Sequence, residues 1–319
     1  MHPAATAWFS KRTSTWADWP LATIEALRTQ SGTTVSVVLP ARDEAASVGH
    51  VVERIRRDLV LDRQVVDEVV VMDSLSSDGT ADAARDSGAT VYDVAAVRPD
   101  LGVRAGKGEA LWKSLFVTTG DISVFIDADL TEWGTHFVSG LLGPLLADPA
   151  VQLVRGFYDR LLDDGAGRTS TEGGRVTELL AKPLLASRWP ELAAVVQPLA
   201  GEWAVRRRHF ERLSVPTGYA VEFATLVDTA ADPGLDAIAQ VDLGSRSHRH
   251  QHVHDLGAMA LEILTVADRR SFGDRGTVPD VIAQFDRTLA THWRERTVPV
   301  SERPPAVTAP GYPGPVVSC

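Results

Sequence analysis

The sequence has almost no cysteine: one in 319 residues, Cys319, at the last position. A lone thiol excludes an intramolecular disulfide and a thiolate metal cage, so the fold must stand on packing alone. Long apolar runs are missing too. No stretch approaches the ~18 consecutive apolar residues of a membrane span, and the N-terminus lacks a charged region followed by an apolar one. A soluble, cytoplasmic protein with no membrane partner is expected. Positive charge is short: 32 Lys and Arg against 42 Asp and Glu leave a formal net charge of -10, which argues against a nucleic-acid partner. Any anionic ligand must then be held by local groups. Gly-x-Ser-x-Gly, His-Glu-x-x-His and Gly-x-Gly-x-x-Gly are also absent, which removes the common hydrolase, zincin and dinucleotide-binding readings.

What is present is an alternation of short apolar strands and amphipathic helices. Val35 to Leu39 reads as a buried strand broken by Pro40. Val48, Val51, Val52, Ile55 and Leu59 then recur at helical spacing after Ser47. The pattern repeats: a strand over 68–72, a polar loop over 73–78, a helix over 80–87 and a strand over 90–92. A Gly-rich loop, a helix over 109–118 and a strand over 122–126 follow. Such alternation predicts an α/β fold with a mostly parallel, Rossmann-like sheet flanked by helices, and ligands beyond the carboxyl ends of the strands. Later elements are expected at 136–146, 151–154, 176–186, 236–241 and 255–267. From Val298 onward, proline and valine without period predict an extended or disordered tail.

The run Val124-Phe125-Ile126-Asp127-Ala128-Asp129 is an apolar strand ending in two carboxylates one residue apart. Side chains alternate along a strand, so Asp127 and Asp129 leave on the same side. Together they can hold a hard divalent cation, Mg2+ or Mn2+, that grips a diphosphate. The alternative is a pair that merely caps the following turn, but burial beside a crevice makes their mutual repulsion hard to explain without a cation. Lys107, between Gly106 and Gly108 at a helix start, suits a phosphate; a solvated lysine in a mobile loop is the plain alternative. Gly173-Gly174-Arg175-Val176-Thr177 repeats that logic and suits a small phosphorylated or carboxylated acceptor, against a glycine loop with a surface arginine. His248, His250, His252 and His254 alternate. A four-His zinc site is disfavoured because neighbours on one strand do not close a tetrahedron, and one His as a cation ligand is preferred. Glu222, in Tyr219-Ala220-Val221-Glu222, is a lone carboxylate among apolar neighbours, suited to a core-edge ion pair or to sugar hydroxyls.

These motifs, in order from about Thr33 to Met259, resemble the actinobacterial glucosyl-3-phosphoglycerate synthases. They are Val37 to Glu44, Asp73-Ser74, Gly106 to Trp112, Phe125 to Leu130, Gly174 to Leu179 and Ala239 to Gly244. The resemblance implies a retaining glycosyltransferase of GT-A fold that moves glucose from UDP-glucose to the 2-hydroxyl of 3-phosphoglycerate with a divalent cation. That is an early step toward glucosylglycerate and methylglucose lipopolysaccharides, and the resemblance also implies a homodimer. Carried over residue by residue, Pro40, Ala41, Arg42, Asp43, Glu44, Ser74, Lys107, Asp127 and Ala128 would bind UDP-glucose. Tyr219, Ala220, Val221, Glu222, Arg246, Ser247, Arg249 and Gln251 would complete that pocket. Asp129 and His248 would ligate the metal, and Gly174, Arg175, Val176 and Thr177 would cradle the acceptor phosphate with His250. Asp127, Asp129, Lys107 and Glu222 would form the catalytic set.

The implied division is an N-terminal arm (1–32), a GT-A nucleotide-sugar and acceptor region (33–235), a C-terminal extension carrying the metal-binding His and a helix (236–296), and a Pro-rich tail (297–319). The chain departs from the family at His250, where Asn stands, and at Arg42-Asp43, where Leu-Asn stands. Both places bear on acceptor or sugar choice. A mannosyl-3-phosphoglycerate synthase using GDP-mannose is the sibling reading, and a nucleotide-sugar sensor without activity is the non-enzyme one.

Overall fold

The computed structural model describes residues 1–163, 169–170, 174–247, 253–273, 281–298 and 300–312. The strands are β1 (Thr13–Thr15), β2 (Val35–Ala41), β3 (Glu68–Asp73), β4 (Thr90–Asp93), β5 (Ile122–Phe125), β6 (Leu153–Asp163), β7 (Thr169–Ser170), β8 (Trp203–Arg206), β9 (Val215–Pro216), β10 (Ile238–Ser247), β11 (Val281–Phe285), β12 (Trp293–Thr297) and β13 (Glu302–Arg303). The helices are α1 (Pro3–Arg12), α2 (Leu21–Ser31), α3 (Val48–Ile55), α4 (Thr80–Asp86), α5 (Lys107–Ser114), α6 (His136–Ala147), α7 (Lys182–Arg188), α8 (Arg207–Phe210), α9 (Val221–Ala231) and α10 (Val253–Phe272).

The central sheet runs β1-β10-β6-β8-β5-β2-β3-β4, with β7 paired to the end of β6. Along this path every pairing is parallel except those of β8, which runs against both β5 and β6. Both faces are covered, as a parallel sheet requires. On β2 the alternation is visible in the core: Val35, Val37, Leu39 and Ala41 pack with α3 and α6 on one face. Val38 packs with Ala110 and Leu111 of α5 and with Phe223 of α9 on the other. A period-2 strand buried on both sides therefore reads as the continuous apolar run seen in the sequence. Among the described residues no helix is long and apolar enough to cross a membrane.

Three segments near the chain ends are tied to the central fold. The late strand expected over 236–241 is β10, a central strand paired along its length with β6. The N-terminal arm is bound to the same edge: β1 pairs with β10, and the buried Trp8 Nε1 donates to the Ile238 carbonyl at 2.9 Å. The expected loose tail is docked over 300–312. There β13 pairs antiparallel with β9, Ala306 is fully buried, and Tyr312 meets Phe116 edge-on at 5.2 Å. Proline removes backbone donors and breaks the periodic signal, but it leaves apolar area to bury.

His209, in the turn α8, places Nε2 2.8 Å from Thr229 Oγ1. Burial pulls its pKa down to about 4 from 6.5, against the opposing carboxylate of Asp232. The unfolded chain thus takes up a proton below pH 6.5 that the fold refuses until about pH 4, so stability present above 6.5 is lost across that window. The loss is at most about 3 kcal/mol. Chemical denaturation at pH 7 and pH 4.5 should show a smaller acid loss in His209→Gln than in the parent; an equal loss rules out this histidine as a source.

Candidate active site

The carboxyl ends of β2, β3 and β5 meet where parallel sheets bind ligands. Pro40 and Ala41 close β2, and the turn after it carries Arg42, Asp43 and Glu44. Ser74 follows β3 and donates its N–H to the Ala41 carbonyl at 2.9 Å, joining the two loops. Asp43, at φ 56°, receives the Ser77 N–H at 2.8 Å, and its own N–H reaches Ser76 Oγ at 2.9 Å. The Glu44 N–H donates to Thr80 Oγ1 at 2.8 Å. An aspartate tolerates this left-handed backbone because its short side chain bonds locally.

Asp127, Ala128 and Asp129 follow β5 directly. Lys107, the first residue of α5, reaches Asp127 Oδ1 at 2.7 Å and Glu222 Oε1 at 2.8 Å. It joins the end of β5 to the first turn of α9, which begins just after Tyr219 and Ala220. Burial works against the ammonium, but Asp127 and Glu222 outweigh it and its pKa is raised. Glu222, only 4% exposed, is therefore an ion-pair partner at the crevice, and its backbone carbonyl accepts from Arg155 Nη2.

The reversal of β8 brings in a group the sequence reading missed. Because β8 runs against β5, with Trp203 opposite Phe125, its start lies beside the end of β5. Glu202 there is fully buried. Its carboxylate is ion-paired with Arg246 Nη1. Arg246, from β10, also lies 3.5 Å from Asp127 Oδ2 and 3.8 Å from Asp129 Oδ1, donates to the Tyr158 hydroxyl at 3.1 Å, and faces the Tyr158 ring at 5.0 Å. A methyl at Gly201 would sit 2.1 Å from Asp127 Oδ2, so only glycine lets the carboxylate lie there. The fully buried Arg155, stacked on Trp203 at 4.7 Å, has its pKa pulled down to about 10 by burial. The signal available in sequence was the Gly201-Glu202 pair opening an apolar strand; Tyr158 and Arg155 carried none.

Four carboxylates, Asp127, Asp129, Glu202 and Glu222, thus share two cations, Arg246 and Lys107. Burial raises the pKa of Asp129, the nearby Asp127 adds to it, and Arg246 and Lys107 oppose. Burial likewise raises that of Glu202. Asp129 Oδ1 is buried and receives no hydrogen bond. An excess of buried negative charge with an unbonded carboxylate oxygen is what a hard divalent cation would complete, so the donor set fits Mg2+ or Mn2+. Asp129 is the described residue that would hold it. Among the described residues no group of three or more His, Cys, Asp or Glu surrounds a single point. His248, Arg249, His250 and Gln251 lie outside the described residues, and Ser247 ends β10.

Gly174, Arg175, Val176 and Thr177 lead into a π-helical turn over Thr177–Ala181. Arg175 is exposed and Thr177 buried. A cavity of about 220 Å3 adjoins this turn, lined among others by Tyr158, Asp159, Glu178, Lys182, Gln197 and Asp242. Through Tyr158 it shares a wall with the Arg246 cluster, which connects the start of this helical stretch to the carboxylate crevice.

Residues 36–211 match the family model described as glycosyl transferase family 2. A glucosyl-3-phosphoglycerate synthase of Mycolicibacterium paratuberculosis is 43% identical over 306 residues, 93% of this chain and 91% of that one. The crystal structure of mannosyl-3-phosphoglycerate synthase from Rubrobacter xylanophilus superposes with a TM-score of 0.85 at 36% identity, over 95% of this chain and 98% of the other. That of glucosyl-3-phosphoglycerate synthase from Mycobacterium tuberculosis, in complex with Mn2+, UDP-glucose and phosphoglyceric acid, gives 0.82 at 41% identity over 93% and 98%. The GT-A glycosyltransferase fold follows from both likenesses. By sequence and by fold, this chain belongs to glycosyl transferase family 2 and, within it, to the glucosyl-3-phosphoglycerate synthases.

Proposed function

We propose that this enzyme transfers glucose from UDP-glucose to the 2-hydroxyl of 3-phosphoglycerate, with retention and with a divalent cation. The observation that carries the reading is Lys107 bridging Asp127 and Glu222 beside an unbonded Asp129 oxygen, in a chain 41% identical to a relative crystallised with Mn2+, UDP-glucose and phosphoglyceric acid. In this reading Pro40 to Glu44 and Ser74 hold the nucleotide, and Asp127, Tyr219 and Glu222 face the sugar. A bound cation would offset charge on the departing diphosphate. Lys107, kept protonated by its two carboxylates, supplies a second positive charge there. Each of Asp127 and Glu222 is ion-paired to Lys107, which leaves neither as a free nucleophile. In this reading attack comes on the same face as the leaving group, with a phosphate oxygen of UDP taking the acceptor proton.

A donor panel of UDP-glucose, GDP-glucose and GDP-mannose with 3-phosphoglycerate and Mg2+, read by product NMR, tests donor, acceptor and anomeric outcome together. UDP-glucose is expected to turn over fastest with an α-linked product. The likeness to a mannosyl-3-phosphoglycerate synthase makes GDP-mannose the informative competitor, and turnover with it alone would overturn the glucosyl assignment.

Arg175, exposed at the opening of the helical turn beside the cavity, is proposed to meet the acceptor phosphate with the N–H groups of Val176 and Thr177. Arg175→Ala should raise the apparent KM for 3-phosphoglycerate by about tenfold, the 1.4 kcal/mol or so of a charge-assisted hydrogen bond, with kcat little changed. An unchanged acceptor KM counts against the assignment.

A homodimer is the expected assembly. The β11–β12 hairpin pairs mainly with itself and leaves Phe285 and Trp293 about half exposed, and an isolated two-stranded hairpin is marginal in water without a partner surface. Light scattering of the purified chain tests it.

A further inference from the structure

Lys107 acts only if two separate loops are held together, and the groups that hold them come from a third place in the chain. The first loop, Leu101 to Gly106, feeds α5 and its Lys107. The second, Val215 to Gly218, feeds α9 and Glu222. They touch directly. The Gly108 N–H donates to the Gly218 carbonyl at 3.3 Å, and the Glu109 N–H to the Thr217 carbonyl at 2.9 Å. Gly106, at φ +124°, lies so close that a Cβ would be 2.3 Å from the Thr217 carbonyl oxygen.

The segment Ser301 to Pro304 is bonded to both loops at once. On one side β13 pairs with β9, and the Thr217 N–H donates to the Ser301 carbonyl at 2.9 Å. On the other, Arg104 Nη1 donates to the Glu302 carbonyl at 2.6 Å and Trp112 Nε1 to the Pro304 carbonyl at 2.9 Å. At the centre is Arg303, 4% exposed. Its guanidinium grips the fully buried Glu109 with two parallel bonds, Nε to Oε2 at 2.7 Å and Nη2 to Oε1 at 2.6 Å. Nη1 donates to the Leu101 carbonyl at 2.7 Å and Nη2 also to that of Gly102 at 3.0 Å. The Trp112 ring lies 5.1 Å from the guanidinium carbon.

Glu109 stands two residues after Lys107 in the first turn of α5. A planar, bidentate guanidinium fixes both the distance and the rotation of what it binds, which a point charge does not. Four donated bonds from one buried side chain thus set where the first turn of α5 lies and how the loop before it enters. We propose that Arg303 is a positioning residue for transfer: through Glu109 and the carbonyls of Leu101 and Gly102 it holds Lys107 where it meets Asp127 and Glu222 together. It touches no reacting atom. Its role rests on the transferase reading above, since it acts through Lys107. Misplacing a charge by an ångström at a reacting centre is felt in kcat far more than in remote binding.

The test compares the parent with Arg303→Lys and with the double variant Glu109→Gln/Arg303→Met. The double variant removes both charges of the pair, so neither partner strands the other; the buried Lys113, 3.7 Å from Glu109 Oε1, keeps its bond to the Val94 carbonyl at 2.8 Å. Active sites are counted by calorimetric titration with UDP, and rates per site are measured well below each variant's melting temperature. The expected result is a fall in kcat per site of about 30-fold or more in the double variant and a smaller fall in Arg303→Lys, with the KM for 3-phosphoglycerate within about twofold of the parent. A role confined to stability lowers the melting temperature and the number of sites but leaves kcat per site alone, so parent-like kcat per site in the double variant overturns the proposal. Turnover of the parent in the same assay judges the transferase reading independently, and the ratio of variant to parent judges Arg303.

Discussion

Asp129→Asn is expected to remove transfer while leaving the fold as stable as before, or more so. The two halves of that expectation come from one fact. Asp129 Oδ1 is buried without a hydrogen bond, and burial together with the neighbouring Asp127 raises its pKa. An ionised carboxylate in that position is unfavourable to the folded chain. The sign follows: above its raised pKa the ionised group destabilises the fold, and the penalty fades as pH falls through that value toward the ordinary 3.8. Asparagine has the same shape without the charge, so the melting temperature should hold or rise at pH 7, with the gain shrinking in acid.

Activity should move the other way. If Asp129 holds the divalent cation, its loss removes several kcal/mol of charge stabilisation on the leaving diphosphate. About 4 kcal/mol corresponds to a fall of ~10³ in kcat. Coupled-enzyme detection of UDP, run beside differential scanning calorimetry, separates the effects. A variant that loses activity and stability together points to a structural carboxylate instead, and one that keeps parental turnover sinks the metal assignment.

The second large effect is on stability. Arg246→Met should destabilise the enzyme by roughly 3–5 kcal/mol, because it leaves Glu202 as a buried carboxylate without its counter-ion. Glu202 is fully buried and Arg246 is 4% exposed. Burial already raises the Glu202 pKa, with Arg246 the principal opposing charge. Changing both at once, Glu202→Gln with Arg246→Met, removes the stranded ion and should recover most of the lost stability. It should not recover turnover, because Asp127 and Asp129 also lose the guanidinium that lies 3.5 and 3.8 Å away. Urea unfolding of Arg246→Met, of Glu202→Gln and of the double variant gives the coupling energy. Simple addition of the two single losses would show that the pair does not act as an ion pair.

The sequence disclosed the crevice better than its floor. Asp127 and Asp129 announce themselves because an apolar run ends on them, and Lys107 because glycines flank it at a helix start. These are local patterns of period 2 and 3.6, and they survive without tertiary information. Glu202 offered no comparable pattern. Its importance depends on β8 running against both neighbours, β5 and β6, and strand direction is set by how the chain connects the strands rather than by a pattern within one strand.

The same division holds at the chain ends. Thirteen docked residues, 300–312, looked structureless because prolines erase periodicity, whereas Arg303 finds its partner 194 positions away. Residue type alone determined the alternating α/β order, the strand-end carboxylates and the glycine-flanked lysine. Each is a property of neighbours in sequence. Only the folded chain decided that Arg246, paired with the buried Glu202, also lies beside Asp127 and Asp129, and that the C-terminal segment braces the helix bearing Lys107. Those contacts join groups far apart in sequence, and the packing of the whole sheet brings them within hydrogen-bonding reach.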